Sequence, residues 1–209
     1  MARDDWFRNK EWNETIASSF EEKLKRARRK SEYLFIQAST LIPTHPQVAI
    51  ELIERYFSTG DHFRDAGAHV CRAEAMLALE RIEAAIVSYE AALRREAEFP
   101  NLLTNAYIEY PYLIAVRQLE SHFERALEIL DQRRREVMFP VELFKWHAAK
   151  ALILASRGNK VESARQAQLA LDAAMQRKSW AQNHSELGLV SYEYQTVIER
   201  LRQLVAVPH

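Results

Sequence analysis

Three side chains in the first half of the chain have metal-ligand spacing. His62, Asp65 and His69 are separated by three and four residues, so one helix would put two imidazoles and a carboxylate on one face. No second cluster completes a coordination shell, and a helix beginning at Asp65 leaves His62 outside it. The chain is therefore read as holding no metal, with His69 packed inside a helix. Trp146-His147 is read the same way. Cys71, the single cysteine, is either a reactive thiol or a small apolar filler. A thiolate needs a cation on its own face. Arg72 points elsewhere on a helix, so the buried, inert reading is preferred. No G-x-S-x-G, H-E-x-x-H or glycine-rich phosphate loop occurs, and four glycines in total leave little material for one. These patterns supply no catalytic residue and no cofactor, and the chain is read as non-enzymatic.

Two further groups carry binding chemistry. Lys23, Lys25, Arg26, Arg28, Arg29 and Lys30 form a basic run of the kind that meets nucleic acid. On a continuous helix they spread around the axis, Glu21 and Glu22 precede them, and the formal net charge of the chain is zero. A solvated helix is the preferred reading, with a nucleic-acid-associated regulator using residues 23–30 as an alternative. Trp6, Phe7 and Trp12 lie in a polar arm, residues 1–12, without helical period. They either anchor a partner or dock on the protein's own first helices. Docking is preferred, because bare tryptophan clusters are costly in water.

The elements that must carry these residues are helices. Hydrophobic residues make up 48% of the 209-residue chain and glycine is scarce, which favours a packed, nearly all-helical protein. No apolar run approaches the length of a membrane span, no secretory signal is visible, and one cysteine suits a reducing compartment. The expectation is a cytoplasmic protein without membrane contact.

Asn13 reads as an N-cap, followed by Ile16, Phe20, Leu24 and Ala27 at helical spacing. The same phase runs through Ser31, Leu34, Ala38 and Leu41, with two helices meeting at the basic stretch 28–30. Pro43 and Pro46 end that segment, and Pro46 starts the next. Ala49, Ile53 and Tyr56–Phe57 face inward there, and Ser58-Thr59-Gly60-Asp61 reads as a stop. Ala66, Val70, Ala73 and Leu77 mark another stripe, then Ile82, Ala85, Ile86, Tyr89, Ala92 and Leu93. Pro100 is expected to open the following helix, running to about Glu120 and interrupted by Pro111. Phe123, Ala126, Leu127 and Leu130 form its partner. Pro140 opens a helix with Phe144, His147, Ala148, Ala151 and Leu154 or Ala155 on one face; Gly158-Asn159 turns the chain; Ala164, Ala167, Leu171 and Ala174 follow. A capping box at Asn183 and Glu186 is expected to start a final helix with Leu187, Val190, Tyr194, Val197, Leu201 and Leu204 inward.

A self-match organises these helices. Arg94-Arg95-Glu96-Ala97-Glu98-Phe99-Pro100 and Arg134-Arg135-Glu136-Val137-Met138-Phe139-Pro140 share the pattern R-R-E-x-x-F-P, forty residues apart. A fixed period in this range marks one helical hairpin per repeat. Residues 73–93 resemble a tetratricopeptide repeat: Ala73 matches the small residue of the family's first helix, Ala85 the small residue at the helix crossing, Tyr89 the aromatic one turn on, and Ala92 the second small residue. Fainter copies occur around Ala49–Tyr56, Ala126–Leu130 and Ala151–Ala167, so the resemblance spans about residues 30–175. The chain also resembles a bacterial group of tetratricopeptide-like proteins.

The resemblance implies an all-α, right-handed solenoid of about four degenerate hairpins, residues 13–182, in a single domain with a helix added at the N-terminal end and a capping helix over 183–209. It further implies a scaffold that binds a protein or peptide in a concave groove. The groove-facing positions are mostly apolar and lack a carboxylate clamp. Gln37, Glu74, Leu77, Arg117, Gln118, Trp146, Lys150 and Leu152 are the expected partner-contacting residues, with Trp6, Phe7 and Trp12 as an alternative site on the arm. A self-associating structural protein, a homodimer sealed by the last helix, is the other alternative.

Overall fold

Local chemistry sets most helix boundaries. The computed structural model describes residues 5–132, 139–177 and 188–206, and these form ten α-helices and two 3₁₀ turns, with no strand among the described residues. The chain divides into two compact units, residues 1–106 and 107–209, where the sequence is read as one array over 13–182.

The first unit holds α1 (Glu14–Arg26), α2 (Lys30–Leu41), α3 (Pro46–Phe57), α4 (Asp65–Ala78) and α5 (Ile82–Glu98). Asn13 caps α1, its side-chain oxygen accepting from the Ile16 N–H at 3.0 Å. α1 stops at Arg26 and α2 starts at Lys30, so the basic stretch does fall at a junction between two helices. Pro46 occupies the first turn of α3, where its missing N–H costs nothing. Gly60, at φ 72°, follows the end of α3. α2 packs on α3, α3 on α4, and α4 on α5. Of the expected inward residues, Leu34, Ala38, Leu41, Ala49, Ile53, Tyr56, Ala73, Ala85, Tyr89 and Ala92 are buried, whereas Ile16, Ala27, Phe57, Leu77 and Ile82 are only half-buried. The alanines let neighbouring helices approach closely; each fully buried large aliphatic side chain contributes roughly 1.5–3 kcal/mol.

The second unit holds all but the first residue of α6 (Ala106–Arg117), a 3₁₀ turn (Glu120–His122), α7 (Phe123–Gln132), α8 (Pro140–Ser156), α9 (Lys160–Ala174), a 3₁₀ turn (Tyr192–Tyr194) and α10 (Gln195–Ala206). α8 packs on α9, and α10 packs on both. Pro140 is the first residue of α8, as expected, and Asn159 caps α9 through the Glu162 N–H at 3.3 Å.

Three helices end alike. After α4, α6 and α8, Glu80, Gln118 and Gly158 take φ values of 57°, 56° and 76°. The next residue in each case reaches back to the carbonyl five residues earlier: Arg81 N to Met76 O (2.9 Å), Leu119 N to Ile114 O (3.0 Å) and Asn159 N to Leu154 O (3.0 Å). This six-to-one bond, with a left-handed residue before it, closes a helix by satisfying its last carbonyls. Only the third of these ends has glycine, so the first two were not legible as stops.

Four expectations are corrected. Pro100 does not open α6, which begins at Ala106 after a loop and ends at Arg117 instead of about Glu120. The buried Glu96 carboxylate instead holds that loop, accepting from the Thr104 N–H (2.8 Å) and hydroxyl (2.5 Å), and Thr104 Oγ1 accepts from the Ala106 N–H at 3.1 Å. Pro111 does lie inside α6. The buried stripe of α9 is Ser163, Gln166–Ala167, Ala170 and Ala173, so Ala164, Leu171 and Ala174 are only half-buried. The final helix starts at Gln195, not in the 180s; Val197 and Leu201 are its buried residues, and Val190 and Tyr194 precede it. Asn183, Glu186 and Leu187 lie outside the described residues, as do Arg134–Met138 of the second self-match copy.

Candidate functional site

The N-terminal arm is docked. Trp6 meets Phe20 of α1 and Tyr33 of α2 at ring-centroid distances of 5.4 and 4.9 Å, Phe7 meets Tyr33 at 4.7 Å, and Trp12 meets Phe20 at 5.5 Å. A polar clamp sits beside the rings. Gln37 Oε1 accepts from the Asn9 main-chain N–H (3.0 Å) and from its side-chain amide (2.9 Å), while Gln37 Nε2 donates to the Asn9 carbonyl (2.8 Å). Thr44 Oγ1 donates to the Lys10 carbonyl at 2.6 Å. Gln37 has no exposed surface, so these bonds replace the water that its amide gave up on burial. The arm does not fill the surface it crosses. Clefts of about 390 and 500 Å³ flank it, one bordered by Phe7, Tyr33 and Ile36, the other by Trp6, Ile16 and Phe20.

Gln37, expected to orient a partner, thus has the arm as its occupant. The other expected groove residues fall in two sets. In the first unit, Glu74 and Leu77 lie half-buried on α4. In the second, Arg117 and Gln118 are exposed at the end of α6, where Gln118 serves as the left-handed cap residue. Trp146 and Leu152 are each only 6% exposed on α8, so they belong to the core and not to an open face. Lys150 pairs with Asp131 of α7 at 2.5 Å and lies 5.8 Å from the Trp146 ring centroid.

The second unit contains a polar cluster that the sequence did not flag. Lys145 Nζ donates to both oxygens of Glu109 (2.7 and 2.9 Å), with side-chain exposures of 13% and 22%. The ammonium sits 5.5 and 5.4 Å from the ring centroids of Tyr112 and Tyr194. Burial pulls Lys145 down, and the Glu109 carboxylate, by charge and hydrogen bond, more than restores it, leaving the group above the usual lysine range. Burial raises both tyrosines. The ion pair joins α6 to α8, and Tyr194 brings the segment before α10 against them. Arg200 adds a bond from α10 to the Val116 carbonyl at 3.0 Å. The groups are mutually satisfied, which fits a structural tie.

The histidine and cysteine candidates separate. His62 Nδ1 lies 2.9 Å from Asp65 Oδ2, whereas the His69 ring stacks on Phe57 at 4.7 Å. Among the described residues, no group of three or more His, Cys, Asp or Glu has the arrangement of a metal site. Burial lowers the His69 imidazole below the usual histidine range. His147 is lowered by burial as well, and its Nδ1 lies 2.7 Å from Gln166 Oε1. Cys71 is buried, and desolvation pushes its thiol up to about 12, so little thiolate exists at neutral pH. No helix among the described residues is long and apolar enough to cross a membrane. Comparison of the chain with known families, characterised proteins and solved structures gives no match.

Proposed function

We propose that the chain is a non-enzymatic scaffold that binds protein or peptide segments on the faces of its helical hairpins, arranged as a tetratricopeptide-like solenoid. One observation carries this reading: the protein already holds a non-helical segment, its own residues 5–10, as a peptide-binding surface would. Aromatic rings supply burial, and a buried amide reads the main chain of Asn9 at both its N–H and its carbonyl. Main-chain bonds plus side-chain contacts are the usual division of labour in peptide recognition. The test uses a fluorescein-labelled peptide of residues 5–12 and a full-length chain carrying Trp6→Ala and Phe7→Ala, which weaken the arm in place. Anisotropy should show saturable binding to this variant and loss of binding when Gln37→Leu is added. Absence of binding to the first variant refutes the reading.

Self-association has its own support. Met175 and Tyr192 are 66% and 88% exposed and border a cleft of about 390 Å³ lined also by Leu171, Val190 and Ile198. Large apolar surface of this kind is often an interface. A concentration-independent monomer by light scattering removes this alternative.

A further inference from the structure

We infer that the face covered by the N-terminal arm selects asparagine: it takes partner segments of the form Trp-Phe-x-Asn, in competition with the arm, and rejects their aspartate counterparts. This rests on the peptide reading and adds the identity of the segment. The arm shows how the selection works. Its main chain turns back on itself, with the Arg8 N–H donating to the Asp5 carbonyl at 2.9 Å. The Asn9 side-chain amide closes the same turn on the Trp6 carbonyl at 2.7 Å. The turn sets Trp6 and Phe7 against Tyr33, and Asn9 against Gln37.

Polarity at Gln37 is dictated by the main chain it meets. The Asn9 N–H can only donate and its carbonyl can only accept, so Gln37 presents Oε1 to the first and Nε2 to the second, at 3.0 and 2.8 Å. Oε1 then also faces the Asn9 side chain at 2.9 Å and requires a donor there. Both hydrogens of the Asn9 amide are spent on oxygens, one on Gln37 and one on Trp6. Aspartate has the same shape and no hydrogen to give. Its carboxylate would face two acceptor oxygens, and Gln37 has no exposed surface through which water could relieve the conflict. Turning the Gln37 amide over would lose both main-chain bonds. The arm is also a loose occupant. Trp6, Phe7 and Asn9 are half-buried and Asp5, Arg8 and Lys10 exposed, over a floor where Phe20 is 1% and Gln37 0% exposed. The clefts beside it leave Ile16 and Ile36 for a better-fitting segment to cover. A tethered arm competes at an effective concentration on the order of mM, so a partner gains by using that extra surface.

The test is anisotropy of fluorescein-labelled peptides of residues 5–12 that differ only at the position of Asn9, added to the full-length chain carrying Trp6→Ala and Phe7→Ala. Loss of the two amide hydrogen bonds predicts binding of the aspartate peptide about 5- to 150-fold weaker than that of the asparagine peptide. The difference should persist at about 1 M salt, where the screening length is about 3 Å, because the contact is with a buried amide and not with an exposed charge. In the chain itself, Asn9→Asp with both rings intact should loosen the arm, so the labelled asparagine peptide should bind this variant more tightly than wild type. Thermal melting establishes that both chain variants are folded, and the peptide comparison needs no further variant. Failure of every peptide to bind refutes the peptide reading and this inference with it. Equal binding of the asparagine and aspartate peptides, or a difference that vanishes at high salt, overturns the selection alone and leaves the peptide reading standing. An Asn9→Asp chain that binds the asparagine peptide no more tightly than wild type does the same.

Discussion

Replacing Gln37 by Leu should release the N-terminal arm while leaving the helices folded. Gln37 is fully buried and makes three hydrogen bonds to Asn9. Each such bond contributes about 0.5–1.5 kcal/mol net, so losing all three should favour arm opening by about 2–4 kcal/mol. Leucine has similar volume and no polar atom, so it leaves neither a large cavity nor an orphaned donor in α2. At about 1.4 kcal/mol per tenfold, the open population should rise about 30- to 1,000-fold. Arg8 and Lys10 give trypsin a site on either side of Asn9. Under native conditions cleavage follows the open population when closing is fast. Limited trypsinolysis read by mass spectrometry should therefore show that much faster cleavage after Arg8 and Lys10, with little change in Tm. Cleavage within about twofold of wild type would mean that the rings of Trp6 and Phe7 hold the arm without the clamp, and the reasoning fails.

Three other outcomes follow from the structure. Lys145→Met should destabilise the second unit by about 3–5 kcal/mol by stranding Glu109, and Glu109→Gln added to it should recover much of the loss in a denaturant titration; equal losses in both would show that the pair is not coupled. Gly158→Ala should cost about 1 kcal/mol through its positive φ alone, since nothing lies within 4 Å of the added Cβ. Gly188→Ala should cost more in the same measurement, because that Cβ would fall 2.5 Å from the Phe139 ring beside the Gly188 carbonyl that accepts from Val141. Burial lowers His69 and His147 from 6.5, so the unfolded chain binds more protons just below that value; Tm should fall as the solution is acidified from about pH 7 to about pH 5, and His69→Leu should flatten this drop.

Much of the fold was legible because helix ends and apolar periods are local chemistry. Asn13, Pro46, Pro140 and Gly158-Asn159 each act within one turn of their own position, and each marks a boundary where expected. The stripes through Leu34, Ala49, Ala73 and Ala85 needed only a period of three to four residues. The misread elements depend on partners elsewhere. Pro100 was free to start a helix by local rules, yet Glu96 gripping Thr104 delays the start to Ala106. The small residues of α9 allow more than one buried face, and packing on both α8 and α10 selected among them. Gln37 was identified as a polar residue on a binding face, but only the structure shows its occupant, Asn9, twenty-eight residues away. Lys145 and Glu109 gave no signal because they are thirty-six residues apart and belong to different helices. Arg64 likewise shares a depression with Arg29, Glu32 and Asp61 only once the chain has folded. The sequence by itself determined which segments become helices and most of where they start and stop, because those energies are set within a few residues. The tertiary structure alone decided which polar side chains meet, because a hydrogen bond or ion pair between distant positions exists only after the apolar faces have packed.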